Sequence, residues 1–263
     1  MAETKPFSAL KMFRLDGEAA MITGAGAGLG RIAALTLAEA GAQVAVTDID
    51  LNAAERVKSE INAAGGQALT WRLDVGDEAQ IIGAVEAIAA AFGRIDILIN
   101  NAGVAQRDPT EAMPTAAWHR VIDLNATATF LCTREVGKHM LAQGGGRILN
   151  LASIMGVVGG GFYPNLPYHA AKGAIVNMTR ALAAEWARRG VRVNAIAPTF
   201  TRTALTTRLQ NDPEMVRIIE ERTPMGRFAE PEEMAGAILY LCSPASSMVT
   251  GQILAIDGGW TAI

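Results

Sequence analysis

Tyr168 and Lys172 stand four residues apart in the run YHAAK, so on a helix they share one face. A lone serine, Ser153, precedes Tyr168 by fifteen residues in the stretch LASIMG. A phenol, an ammonium and a hydroxyl gathered in one site can pass a proton to and from a substrate oxygen, because nearby positive charge favours the phenolate. The plainer alternative is a boundary tyrosine beside a lysine that snorkels to solvent. The surrounding elements decide between the two.

The segment 168–186 carries Tyr168, Lys172, Ile175, Thr179, Leu182 and Trp186 at steps of four and three, one helical stripe that otherwise looks core-directed. Ser153 falls at the carboxyl end of an apolar run, RILNLAS, that reads as a strand. A second helical stripe runs Trp118, Ile122, Asn125, Thr129, Cys132, Val136, Met140. An amide inside it is costly unless hydrogen-bonded, so Asn125 either satisfies a local carbonyl or holds a water in a polar site.

The turn T23-G-A-G-A-G-L-G30 follows a strand-like run and opens a helix. Glycines there allow a tight turn and close approach to a pyrophosphate resting on the helix N-terminus. A phosphate-binding loop of the Gly-Lys-Ser/Thr kind is the competitor, but Gly30 is followed by Arg31-Ile32. Asp48 ends the second run, eighteen residues after Gly30, where a carboxylate can accept from ribose hydroxyls and repel a 2′-phosphate. That favours NAD over NADP; the alternative is that Asp48 caps the next helix, as Asp50 also could. Asp74, after the third run, meets the adenine amino group or caps a helix.

The elements that must position these groups repeat along the chain. Seven apolar runs (18–24, 42–48, 68–74, 95–101, 147–153, 191–198 and 252–257) alternate with amphipathic segments. Continuous apolar strands between helices predict an α/β fold: a three-layer, doubly wound, seven-stranded parallel sheet with helices on both faces. With no linker or repeat, residues 1–263 read as a single domain. The stretch 199–230 is polar, contains two prolines and reads as a long irregular piece and candidate substrate lid at the carboxyl end of the sixth strand.

The chain has 263 residues, half of them apolar, a net charge of −3 and two cysteines. That composition excludes a basic nucleic-acid footprint and a disulfide framework. MAETKPFSALKMFR is unlike a signal peptide, and no stretch suits a membrane span, so the expectation is a cytoplasmic protein with no membrane or nucleic-acid partner.

Taken together, TGAGAGLG, NNAG (100–103), Asn125, Ser153, YHAAK and the closing IDGGW resemble the short-chain dehydrogenase/reductase family over essentially the whole chain. The resemblance implies a Rossmann-like fold, a homotetramer or homodimer, and catalysis without a metal. Tyr168 would be the general base for alcohol oxidation or the acid for ketone reduction. Lys172 would favour the phenolate and bind the nicotinamide ribose, Ser153 would hold the substrate oxygen, and Asn125 would anchor a water joining Lys172 to solvent. The implied cofactor set is Gly24, Gly28, Leu29, Gly30, Asp48, Ile49, Asp74, Val75, Asn101, Tyr168, Lys172, Thr201 and Thr203.

After the sixth strand the family commonly carries Pro-Gly-x-(Ile/Val)-x-Thr, whereas this chain reads Pro198-Thr199-Phe200-Thr201-Arg202-Thr203. A glycine-only conformation at Thr199 is therefore not expected. The expected substrate-side residues are Ser153, Met155, Phe162, Asn165, Tyr168 and Phe200, joined by Gln106, His169 and the stretch 159–165; no arginine clamp for a carboxylate is obvious, Arg107 and Arg202 reading as solvent-facing. The tail resembles those of polyol and sugar-acid dehydrogenases, so the leading substrate is a polyol, sugar or sugar acid, a small-molecule alcohol or its ketone. A ketoacyl-carrier-protein-type NADPH reductase, a non-catalytic NAD-binding sensor and an epimerase of a longer family branch are the alternatives. The 168–186 segment is apolar on several sides, which predicts a partner subunit covering it and the 118–140 helix.

Overall fold

A computed structural model describes residues 7–160 and 162–263; of the expected substrate stretch Gly161 lies outside them, as does the start of the amino-terminal segment read above. All seven expected strands form: β1 (Ala19–Thr23), β2 (Gln43–Asp48), β3 (Gln67–Arg72), β4 (Ile97–Asn100), β5 (Gly146–Leu151), β6 (Val191–Pro198) and β7 (Ile253–Ile256). They pair in one parallel sheet in the order β3-β2-β1-β4-β5-β6-β7. The order reverses between β1 and β4, and the crevice beyond their carboxyl ends is where such sheets take a ligand.

Helices cover both faces because the inner strands β1, β2, β4, β5 and β6 are apolar on both sides. On one face α1 (Gly28–Glu39), α2 (Leu51–Ala63) and α9 (Ala235–Cys242) bury Leu37, Val57, Ile61 and Ile238 against Val44, Val46, Ile97 and Ile99. On the other, α3 (Glu78–Phe92), α5 (Ala128–Ala142) and α6 (Leu166–Trp186) bury Ile81, Ile88, Val136 and Trp186 against Met21, Leu98, Ile148 and Val193. Cys132 and Cys242 lie in these layers, and burial pushes both thiols up to about 12, so both stay protonated. No helix among the described residues is long and apolar enough to cross a membrane.

Two expectations need correction. The stripe through 118–140 does not run along one uninterrupted helix: α4 (Thr115–Ile122) passes into a π-helical turn at Asp123–Thr127 before α5 begins. The Asn125 side chain donates to Val121 O four residues back (2.7 Å) and to Val104 O (2.9 Å), entering the helical ladder where the turn widens. The stretch 199–230 is not irregular either. It holds α7 (Thr207–Gln210) and α8 (Pro213–Arg222), the latter capped by Asp212, whose carboxylate accepts from the Glu214 and Met215 amides. Pro213 at the first helical position needs no amide partner there, so a proline that looked like a breaker starts a helix. The inner side of this segment buries Leu209, Ile219 and Phe228 against Met155, Phe200 and Trp260.

Candidate active site

The glycine turn is held open by contacts that leave no room for a Cβ. Gly24 and Gly28 have φ of +62° and +53°, a region L-residues rarely adopt. A Cβ on Gly30 would stand 2.2 Å from Gly24 O and 2.5 Å from Asn101 Nδ2, so Gly30 lets α1 press against the turn. Asn101, expected to touch the cofactor, lines the cavity, and its side-chain amide donates to Thr23 O (2.9 Å) and Gly24 O (2.8 Å), bracing the turn. No side chain caps α1, and Gly28 and Leu29 at its start line a cavity of about 640 Å³. Uncapped helical amides of this kind fit a pyrophosphate.

Asp48 and Asp74 line the same cavity, with Ile49 and Val75. Neither aspartate caps a helix; Asp50 caps α2 and Asp77 caps α3. Asp48 accepts from Gly26 N (2.8 Å) and Asp50 N (2.9 Å), which leaves two of about four lone-pair sites for hydroxyl donors. Asp74 accepts from Gly76 N at 2.8 Å. Thr203 bridges to the glycine turn, its Cγ2 lying 3.6 Å from where a Gly28 Cβ would be. Thr201 and Thr203 both line the cavity, and Thr201 is buried with its hydroxyl donating to Thr199 O (3.0 Å). No described residue other than glycine has positive φ, so Thr199 takes an ordinary conformation, as expected.

At the other end of the cavity stand Ser153, Tyr168, Lys172 and Asn125. Ser153 leaves β5 in extended conformation, and its Oγ accepts from Met155 N at 3.1 Å. Lys172 is only 5% exposed and donates to Leu151 O at 2.5 Å; its Nζ lies 5.5 Å from the centre of the Tyr168 ring. The stripe read from the sequence is therefore the buried face of α6, carrying Lys172, Ile175, Thr179 and Trp186. Burial pushes Tyr168 up to about 12, against the pull of its hydrogen bond with Ser153. Burial also lowers Lys172 to about 8. An ammonium that sheds its proton readily beside a phenol that holds its own is a proton-transfer pair whose balance a bound cation can tip.

Beneath them a ladder of buried amides, which the sequence reading missed, ties β4, β5, α5 and α6. Asn100 donates to Thr133 Oγ1 and Asn150 Oδ1, and Asn150 donates to Thr179 Oγ1, each at 2.9 Å. Both asparagines sit in apolar strand runs, and an amide at such a position is the signal that could have shown it. The Asn125 amide is fixed by its two carbonyls, leaving Oδ1 buried without a protein partner.

On the substrate side Met155, Asn165 and Phe200 line the cavity, but Phe162 does not. Its ring turns into an aromatic cluster with Tyr163, Phe200 and Trp260, at centroid distances of 4.9, 5.7 and 5.9 Å. Tyr163 lines the cavity in its place. His169 lies outside the lining: its Nε2 accepts from Gly160 N (3.1 Å) and its Nδ1 meets Asn165 O (2.9 Å), which ties the preceding loop to α6. Gln106 is also outside, donating to Asp108 at 2.6 Å. Arg107, which the sequence suggested faces solvent, lines the cavity.

A doubly wound sheet with a glycine turn at its switch point, and a serine, tyrosine and lysine in the same cavity, defines an oxidoreductase built around a nicotinamide dinucleotide. Residues 24–261 match the family model described as Enoyl-(Acyl carrier protein) reductase. The chain is 41% identical to D-threitol dehydrogenase of Mycolicibacterium smegmatis, over 95% of each protein. It is 42% identical to galactitol 2-dehydrogenase (L-tagatose-forming) of Cereibacter sphaeroides, over 95% of this chain and 97% of that one. Among solved structures, gluconate 5-dehydrogenase from Burkholderia cenocepacia in complex with NADP and tartrate superposes with a TM-score of 0.93 at 37% identity, covering 97% of this chain and all of that one. The chain belongs to the short-chain dehydrogenase/reductase family, whose chemistry is oxidoreduction at CH–OH groups.

Proposed function

We propose that this protein is an NAD(H)-dependent dehydrogenase that interconverts a secondary alcohol of a polyol, sugar or sugar acid with its ketone. The observation that carries the reading is one cavity with the glycine turn and Asp48 at one end and Ser153, Tyr168 and Lys172 at the other. A bound nicotinamide would accept the hydride from the carbinol carbon, or return it to the carbonyl carbon. Tyr168 takes the hydroxyl proton during oxidation and gives it back during reduction. Ser153 Oγ holds the reacting oxygen toward that phenol. Lys172, anchored on Leu151 O, supplies the positive charge that favours phenolate and reaches the ribose hydroxyls. Asn125 Oδ1 receives a hydrogen bond from a water that links Lys172 to solvent. The segment 199–230 closes over substrate as a lid within one catalytic unit.

Asp48 supports NAD: its carboxylate lines the cavity, and a negative charge there would repel a 2′-phosphate. The gluconate dehydrogenase bound to NADP favours the second reading, an NADP(H) enzyme. Absorbance assays with both cofactors against polyols, sugar acids, simple alcohols and steroids decide between them. Turnover is expected with NAD⁺, and Asp48→Ala should shift the NAD/NADP ratio of kcat/KM toward NADP by about 10-fold or more, the scale of one charge repulsion at a few ångströms. Faster turnover of the unaltered protein with NADP⁺ would overturn the Asp48 argument.

The further expectation is assembly as a homotetramer or homodimer through α5 and α6. Phe130 and Leu166, on these helices, are 47% and 45% exposed in the single chain. Size-exclusion light scattering at micromolar concentration should give two or four times the mass of the chain; a monomer peak would remove this expectation.

A further inference from the structure

Four of the buried side-chain polar atoms without a hydrogen-bond partner belong to residues that line the cavity: Asn125 Oδ1, Arg107 Nε, Asn165 Oδ1 and Thr199 Oγ1. Asn125 has a place in the chemistry above. Arg107 Nε and Asn165 Oδ1 do not. Arg107 follows β4, its Nη2 makes a long contact to Leu205 O (3.3 Å), and its guanidinium lies 5.5 Å from the centre of the Tyr163 ring. No carboxylate among the described residues forms an ion pair with it. Its neighbour Asp108 is held by Gln106. The acids lining the cavity, Asp48 and Asp74, belong to the ends of β2 and β3, on the far side of β1.

A buried guanidinium N–H without an acceptor is costly unless a ligand supplies one. Asn165 is 4% exposed and stands at the start of α6, three residues before Tyr168, with a bare acceptor oxygen. Tyr163 lies between the two in chemistry: Arg107 and Asn165 both act to lower its phenol, against the burial that raises it. Arg107 is also felt at Tyr168, where its charge acts against burial. A half-buried cation whose Nε is buried and unpaired, and a buried neutral acceptor in the same cavity, complement a ligand that offers an anion and a hydroxyl together.

We propose that Arg107 and Asn165 form a hydroxy-carboxylate subsite, Arg107 taking the carboxylate and Asn165 Oδ1 a hydroxyl, so that the preferred substrate is a sugar acid and not the corresponding polyol. This rests on the dehydrogenase reading above and narrows it. The guanidinium edge suits a carboxylate because two parallel N–H donors match its two oxygens. A polyol would leave the Arg107 charge uncompensated.

The test is a matched pair of the same configuration, D-gluconate and D-glucitol, with D-galactonate and galactitol as the second pair. The unaltered protein should favour the acid by about 10²-fold in kcat/KM, and Arg107→Met should collapse the acid-to-polyol ratio by about the same factor, chiefly through KM. Arg107→Lys should restore only part of it, because it keeps the charge and loses the fork. Calorimetry of D-gluconate with the NADH-loaded protein is the second readout and does not require turnover. Binding lost in Arg107→Met, with NADH affinity retained, supports the subsite even if neither pair is oxidised, an outcome that would count against the dehydrogenase reading alone. A polyol preference, a ratio that Arg107→Met leaves in place, or an equal loss of NADH affinity would overturn the proposal.

Discussion

Tyr168→Phe is expected to lower kcat for alcohol oxidation by about 10²–10⁴-fold, the usual contribution of a positioned acid–base group, while weakening cofactor binding far less. The ring of Tyr168 belongs to α6, and its hydroxyl meets Ser153 at the cavity wall. Removing one oxygen leaves the ring and the helix packing in place. Steady-state nicotinamide absorbance reads the first effect, and quenching of protein fluorescence by the cofactor reads the second. Turnover within tenfold of the unaltered protein would assign the proton to another group.

The same residue sets the sign of the pH dependence. Burial holds Tyr168 near 12 in the cofactor-free protein, so below that pH the phenol keeps its proton. Oxidation needs the phenolate, and its rate should rise with pH until the apparent pKa of the complex is passed. Reduction needs the phenol and should fall over the same range. Positive charge on an oxidised nicotinamide, when bound, would move that pKa below the cofactor-free value. A flat profile in both directions would mean that proton transfer does not limit the rate.

Lys172→Met should be the second large effect, and it should separate activity from stability. Loss of the ammonium is expected to cost about 10²-fold or more in kcat, since the charge next to the phenol and the hold on Leu151 O go together. Stability should respond in a pH-dependent way. Lys172 is lowered from 10.5 to about 8 by burial, so the charged form is disfavoured in the fold. Below pH 8 both folded and unfolded chains carry the proton, and the fold bears a cost of about 3 kcal/mol, from 1.36 kcal/mol per pKa unit. Between pH 8 and 10.5 the folded protein sheds the proton while the unfolded chain keeps it, and the cost disappears. Relative to Lys172→Met, the unaltered protein should therefore gain up to about 3 kcal/mol as pH rises from 7 to 10.5. The lost bond to Leu151 O offsets part of the variant's advantage at every pH but does not create a slope. Urea unfolding of the two cofactor-free proteins at several pH values measures the difference; a constant difference would mean that Lys172 is not strained by burial.

Much of this protein was legible along the chain, and the reasons are local. Continuous Val, Ile and Leu runs such as IDILIN and RILNL mark strands buried on both faces, and all seven form where expected. The glycine turn follows from the need for positive φ at Gly24 and Gly28. Tyr168 and Lys172 share a face because α6 has helical period, and Lys172 lies in that helix's buried stripe with Thr179. In the stretch 199–230 the local signal failed, since Asp212-Pro213 starts a helix as readily as it breaks one.

What the sequence determined alone is the order of strands and helices, the turn that opens α1 and the spacing that puts a phenol and an ammonium on one helix face, because these are fixed by the backbone geometry of neighbouring residues. The tertiary structure decided which way side chains from distant segments turn. Phe162 joins Phe200 and Trp260 while its neighbour Tyr163 faces the cavity, a choice made by an aromatic cluster spread over almost one hundred residues of chain. Asn101 braces Gly24, Asn125 enters a π turn, and Arg107 lines the cavity with its guanidinium donating to Leu205 O. Each of these directions depends on a carbonyl or ring supplied from elsewhere in the fold, and spacing along the chain carries no record of it.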